Sequence, residues 1–151
     1  MSPVAQQRDV GGKPAVFRRA VVVGELSLSS ATRRSIRART VAKGDPIAAG
    51  ELAGLLAMKR TPELIPHCHI VGLTHARVDV VPSARGVRVR VTAETVERTG
   101  VEMEALVGAS IALLTVWDMV KYLEKDARGL YPKTSLGPVR VLTKEKSPKG
   151  P

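Results

Sequence analysis

From Ala20 to Glu25 the chain is short, apolar and β-branched, which predicts a first strand. Ser29 or Ser30 can then cap a helix through about Arg39, whose outward face carries Arg33, Arg34 and Arg37. Those arginines read either as a solvated surface or as a ligand-facing one. Lys43-Gly44-Asp45-Pro46 is a turn into a second helix, with Asp45 as cap and Pro46 in the first helical position. This helix is expected to reach about Arg60 and to bury Ile47, Leu52, Leu55 and Leu56. Thr61-Pro62 ends it and opens one short turn, which Pro66 stops. Leu73 to Val81 and Val87 to Val96 alternate apolar and polar residues around Pro82 to Gly86, the pattern of a hairpin with one buried face. A long helix from about Val101 to Lys125 ends near Gly129, and Pro138 to Thr143 gives a final strand.

The order β-α-α-β-β-α-β predicts the α+β class. Allowing one extra helix, it is the split βαβ plan, a four-stranded antiparallel sheet with helices packed on one face. Residues 1–19, interrupted by Gly11, Gly12 and Pro14, read as a mobile N-terminal arm. Residues 20–144 read as a single domain, and 145–151 as a charged C-terminal tail.

Composition narrows the class. The 151 residues are 44% hydrophobic and 25% charged, the balance of one folded domain rather than a disordered chain. No apolar run is expected to reach the roughly 18 residues of a membrane span. Met1 to Gly12 lacks the apolar stretch of an export signal, so a cytoplasmic protein is expected. Cys68 is the lone cysteine, which excludes an internal disulfide and fits a reducing compartment. The absence of Asn, with only Gln6 and Gln7 as side-chain amides, is a thermophile-like bias.

The net charge is +10 and uneven, with +7 in residues 1–60 and +3 in residues 61–151. Such an excess favours an anionic partner: nucleic acid, a membrane surface or a small phosphorylated ligand. Phe17, Trp117, Tyr122 and Tyr131 are the whole aromatic set, and none falls where single-stranded bases could stack.

Three places hold more polar chemistry than a core or surface requires. In His67-Cys68-His69, the two histidines point the same way on extended backbone. They suit a metal pair, a structural role or acid–base contact with a substrate; a zinc site would need Cys68, His75 or the Glu pair as further ligands. In Thr99-Gly100-Val101-Glu102-Met103-Glu104, two carboxylates fall in a first helical turn, where the helix dipole favours them. Two residues apart on a helix, about 200° of rotation, they are not expected to face one ligand. Asp118 and Lys121 are three apart and share a helix face, as a surface ion pair or a catalytic couple.

Taken in order and at their spacings, several motifs carry a resemblance. These are Lys43-Gly44-Asp45, Lys59-Arg60-Thr61, Leu64 to His69, Thr99 to Leu106, Asp118-Met119 with Lys121, and Gly137-Pro138-Val139-Arg140. Over roughly residues 8–144 the chain resembles cyclic pyranopterin monophosphate synthase, the molybdenum cofactor biosynthesis protein C family (MoaC). The resemblance implies a ferredoxin-like fold and conversion of 3′,8-cyclo-7,8-dihydroguanosine triphosphate into cyclic pyranopterin monophosphate and pyrophosphate. It implies a homohexamer, a trimer of dimers with sites at the dimer interface, and partners that include neither nucleic acid nor membrane. No cofactor or protein-bound metal is implied, and Mg²⁺ accompanying the triphosphate is compatible with it.

Carried over by position, Asp118 matches the family's catalytic Asp, Lys121 its partnering Lys and Lys43 the Lys of the Lys-Gly-Asp turn. Lys144 matches the Lys after the last strand, and Arg18 an Arg of the N-terminal arm. His67, Cys68 and His69 fall on one substrate-binding stretch, Met103 and Glu104 on the other, with Glu102 as a further carboxylate. Asp118, Glu102 and His69 are thus candidates for proton transfer, Lys and Arg for the triphosphate. The chain departs from the family at His67, commonly apolar, at Ile70, commonly Pro, and in the longer Arg128–Leu136 segment, a lid or a loop. Two other classes share some of these features: a basic nucleic-acid-binding module, and a metal-dependent hydrolase using His67 and His69.

Overall fold

In a computed structural model, residues 5–148 and 150 are described. The elements are β1 (Val16–Ser27), α1 (Ser30–Ala38), α2 (Pro46–Lys59), α3 (Thr61–Leu64), β2 (His75–Pro82), β3 (Gly86–Glu97), α4 (Glu102–Glu124), β4 (Ser135–Leu136) and β5 (Arg140–Ser147). They form an open antiparallel sheet of five strands, against the four expected. β2, β3 and β1 are neighbours in that order, and the other edge of β1 pairs with both β4 and β5. The order β2-β3-β1-β5 is compatible with the split βαβ plan.

Alternation decides which face is covered. Ala20, Val22 and Leu26 of β1 and Val87, Val89, Val91 and Ala93 of β3 are buried on one side. Over them lie Ala105, Ala109, Ala112, Leu113, Val116 and Val120 of α4, all fully buried. By length and composition α4 is apolar enough to cross a membrane, contrary to the expectation that no segment would be. Its buried stripe accounts for that composition as a core helix.

The first and last long strands extend further than their composition predicts. β1 begins at Val16 rather than Ala20, and β5 runs to Ser147 rather than Thr143. The two segments pair with each other, Phe17 opposite Ser147 and Arg19 opposite Glu145. Arg19 donates to Glu94 at 2.7 Å and to Glu145 at 3.0 Å. Charged residues that read as a solvated tail therefore satisfy their backbone groups in a ladder.

In α2 the expectation fails for a steric reason. Leu52 and Leu56 are 60% and 46% exposed, Ile47 and Leu55 only half-buried, while Gly50, Gly54, Ala57 and Met58 face the core. A Cβ at Gly54 would meet the Gly108 carbonyl oxygen at 2.8 Å and the Ala112 Cβ at 3.1 Å. The α2 and α4 backbones approach closely because small residues face each other, which turns the bulky ones outward.

Candidate active site

The C-terminal part of α4 and the loop before α2 build one charged cluster. Lys121 Nζ lies 2.6 Å from Asp118 Oδ1, one helical turn back. Lys43 Nζ lies 3.5 Å from Asp118 Oδ2 and donates to the Asp118 carbonyl oxygen at 3.0 Å. The Lys43 loop is held at both sides. The Ala42 N–H donates to Tyr122 Oη at 2.8 Å, and Asp45 Oδ1 caps α2 by accepting from the Ile47 and Ala48 N–H groups. Gly44, at φ +106°, supplies the left-handed turn between them. The Lys121 ammonium, and after it Lys43, hold the Asp118 carboxyl below the usual carboxylate range. Asp118 in turn raises Lys121. The couple is ionised together, and Asp118 is available as a base.

A second cluster surrounds the N-terminal end of α4. His67, Cys68, His69, Gly100, Glu102, Met103 and Glu104 line a cavity of about 370 Å³. Glu102 and Glu104 both reach it, which corrects the expectation from helix rotation. Glu102 is the first residue of α4 and folds back over Gly100, where a Cβ would collide with its carboxylate. It meets Lys144 Nζ at 2.6 Å. Arg18, which donates to the Glu97 and Arg98 carbonyl oxygens, lies beside Glu102 and Lys144 around a smaller hollow.

The carboxylate pair is split electrostatically. Burial pushes Glu102 up, but Lys144, its helix-terminal N–H and Arg18 together bring it below the ordinary range. Glu104 is 4% exposed, and burial raises its carboxyl, with the Glu102 charge adding to the rise. Burial and Glu104 also push the Cys68 thiol up, which keeps it protonated. Neighbouring carboxyls shifted in opposite directions, Glu104 up and Glu102 down, form the pattern of an acid–base pair.

Folded Glu104 binds its proton more tightly than unfolded Glu104, so stability falls as pH rises through the window between the two values. Glu104→Gln removes that penalty. It is expected to melt no lower than the parent near neutral pH, although inactive. A thermal melt that drops, and drops further with rising pH, contradicts this.

Gln7 and Arg8 lie on the histidine stretch, and Gly11 is met by Arg98. Gln7 Nε2 donates to the Cys68 carbonyl oxygen at 2.7 Å, and His69 Nε2 is 2.6 Å from the Arg8 carbonyl oxygen. Arg98 Nη1 donates to the Gly11 carbonyl oxygen at 2.8 Å. Among the described residues, no three of His, Cys, Asp and Glu stand close enough together to hold a metal ion.

The structure brings the expected residues together in two groups, not one. Lys43, Asp118 and Lys121 form the first; Arg18, His67, Cys68, His69, Glu102, Met103, Glu104 and Lys144 surround the second. Glu104 and Asp118 are fourteen residues apart on unbroken α4, a span of about 21 Å. Tyr122 and Tyr131 were not among the candidates. Tyr122 lies one turn beyond Asp118, a spacing that could have flagged it. Tyr131 meets the Trp117 ring edge-on, with centroids 5.7 Å apart. It is carried there by the Arg128–Leu136 segment, which is a pinned loop: Asp126 Oδ1 accepts from the Arg128 and Leu130 N–H groups, Thr134 Oγ1 donates to buried Glu124, and Ser135-Leu136 pair with β1.

The model of the MoaC family matches residues 7–147. The chain belongs to the MoaC family. A relative from Archaeoglobus fulgidus, named probable cyclic pyranopterin monophosphate synthase, is 50% identical over 93% of this chain and 90% of its own. Relatives of the same name from Methanosarcina acetivorans and Thermococcus kodakarensis are each 48% identical, over 94% and 91% of this chain and 90% and 88% of theirs. The MoaC match spans both charged clusters and the helix between them.

Proposed function

We propose that this MoaC-family chain is a cyclic pyranopterin monophosphate synthase of molybdenum cofactor biosynthesis. Its substrate is then 3′,8-cyclo-7,8-dihydroguanosine triphosphate, and its products cyclic pyranopterin monophosphate and pyrophosphate. The observation that carries the reading is the pairing of a cation-held base, Asp118 with Lys121 and Lys43, with a split carboxylate pair, Glu102 and Glu104.

The residue types suit the reaction. Lys43, Lys121, Lys144 and Arg18 supply donors for a triphosphate and for the charge on departing pyrophosphate. A sugar hydroxyl attacks the nearest phosphorus, its proton passes to a base, and the bond to the pyrophosphate oxygen breaks. This is a phosphorus–oxygen lyase step, with the cyclic phosphate as product. Opening and reclosing the guanosine-derived ring moves further protons, for which Asp118, Glu104, Glu102 and His69 are the candidates. No resident cofactor is required, and Mg²⁺ can arrive with the triphosphate. The reading carries with it a cytoplasmic enzyme acting on a small nucleotide rather than on nucleic acid or membrane.

The active enzyme is a homo-oligomer, a hexamer built as a trimer of dimers. Two clusters about 21 Å apart on one straight helix cannot both touch one small substrate within a single chain. A two-fold axis across antiparallel α4 helices would bring Glu104 of one protomer to Asp118 of its mate. The outward stripe of α4 favours that contact. Met103, Val107, Ile111 and Leu114 run between the clusters, with Met103 39% and Leu114 44% exposed. Leu64 and Ile65 extend this apolar surface beside Met103 and Val107.

Mass spectrometry of the product formed from the cyclic dihydroguanosine triphosphate tests the activity. Cyclic pyranopterin monophosphate and stoichiometric pyrophosphate are expected; unchanged substrate contradicts the reading. Lys43→Ala is expected to weaken binding of a non-reacting nucleotide triphosphate more than Glu102→Gln does. Losing a cation subtracts attraction to phosphate, whereas neutralising a carboxylate does not. Calorimetry giving equal or reversed losses would remove Lys43 from the phosphate contacts.

A further inference from the structure

On the sheet face turned away from the helices, Arg88, Arg90 and Arg140 surround one groove of about 440 Å³. The register brings them together. Arg90 on β3 and Arg140 on β5 both stand opposite Val23 of β1, and Arg88 stands opposite Glu25. Residues paired across antiparallel strands share a face, so the three guanidiniums rise from one side. The strands carrying Arg90 and Arg140 lie about 10 Å apart across β1, with Arg88 about 7 Å along β3 from Arg90. Val23, Gly24, Pro138 and Leu142 complete the lining with little polarity.

No carboxylate answers these arginines. Several other cations of the chain are paired: Arg19 with Glu94 and Glu145, Arg77 with Asp79, Lys43 and Lys121 with Asp118, Lys144 with Glu102. Among the described residues, Arg88, Arg90 and Arg140 have no side-chain hydrogen bond or ion pair. Glu25, the one acid in the groove, has Oε1 engaged by the Ser83 hydroxyl at 2.7 Å. Asp79, opposite Arg90 on β2, is held by Arg77 Nε at 2.9 and 3.0 Å.

We propose that this groove is a second anion site, which takes the phosphate groups of a diphosphate or triphosphate. Guanidinium forks pair with phosphate oxygens two at a time, and strands hold the forks at fixed spacing. Three arginines against one glutamate leave the groove a surplus of two positive charges. The site is separate from the active-site clusters. Lys144 stands opposite Ala20, buried on the helix side, whereas Arg140 stands opposite Val23 on the other face.

The test is titration calorimetry of the full-length protein with pyrophosphate at low salt. A Lys43→Ala/Lys121→Ala background suppresses phosphate binding at the proposed active site. Pyrophosphate is expected to saturate at one per chain, and Arg90→Gln/Arg140→Gln in that background to weaken it at least ~10-fold, since each charge-assisted contact is worth about a factor of ten or more. GTP should compete with pyrophosphate, because the contact is to the phosphate chain. In the parent protein, Arg90→Gln/Arg140→Gln should leave turnover, melting temperature and sedimentation mass unchanged. Absence of saturable binding, equal binding by the Arg variant, or a site that takes GTP but ignores pyrophosphate overturns the proposal. So does a change of sedimentation mass in the Arg variant, which would make this face a contact between copies of the chain.

Discussion

Asp118→Asn is expected to lower turnover at least ~100-fold while leaving triphosphate binding as tight as the parent's or tighter. The two effects separate because Asp118 and its lysines do opposite work. In the proposed mechanism the carboxylate accepts a proton and repels phosphate, while the ammonium groups of Lys121 and Lys43, paired with it, attract phosphate and favour its ionised form. Asn keeps the shape and removes the base, so two cations remain without their counter-charge. Lys121→Ala is expected to lose at least ~100-fold in turnover and to weaken binding as well, since it subtracts a phosphate contact and loosens Asp118. Neither change should lower the melting temperature appreciably, because Asp118 and Lys121 side chains are 60% and 43% exposed. Steady-state kinetics and calorimetry on the folded variants check the split. Near-normal turnover in either variant removes that residue from the mechanism.

The long elements were legible in the sequence because their signals are local. Asp45-Pro46 sets the start of α2, and the alternation from Val87 to Val96 marks β3 and its buried face. The Asp118–Lys121 couple was legible for the same reason, since a three-residue spacing on a helix fixes proximity. What local pattern could not carry was pairing between distant segments. Val16 to Arg19 and Lys144 to Ser147 look like solvated ends until each is seen to complete the other's ladder. The α2 leucines point outward because Gly54 and Gly108 let two backbones approach, a contact 54 residues apart in sequence. Lys43 joining Asp118, and Lys144 joining Glu102, are likewise long-range meetings. Helix rotation alone separated Glu102 from Glu104; the first-turn geometry over Gly100 brings both to one cavity.

The proposed site is shared, with Glu104 from one protomer and Asp118 from its two-fold mate. One measurement tests it most directly. Purified Glu104→Gln and Asp118→Asn, each folded and inactive alone, are mixed and allowed to exchange subunits, with exchange verified by mass. Each mixed dimer then holds one doubly damaged site and one intact site. Random exchange makes about half the dimers mixed, and half the sites in those are whole, so roughly a quarter of parental activity should return. If exchange is complete and no activity returns, each site is built within one chain and the account is wrong.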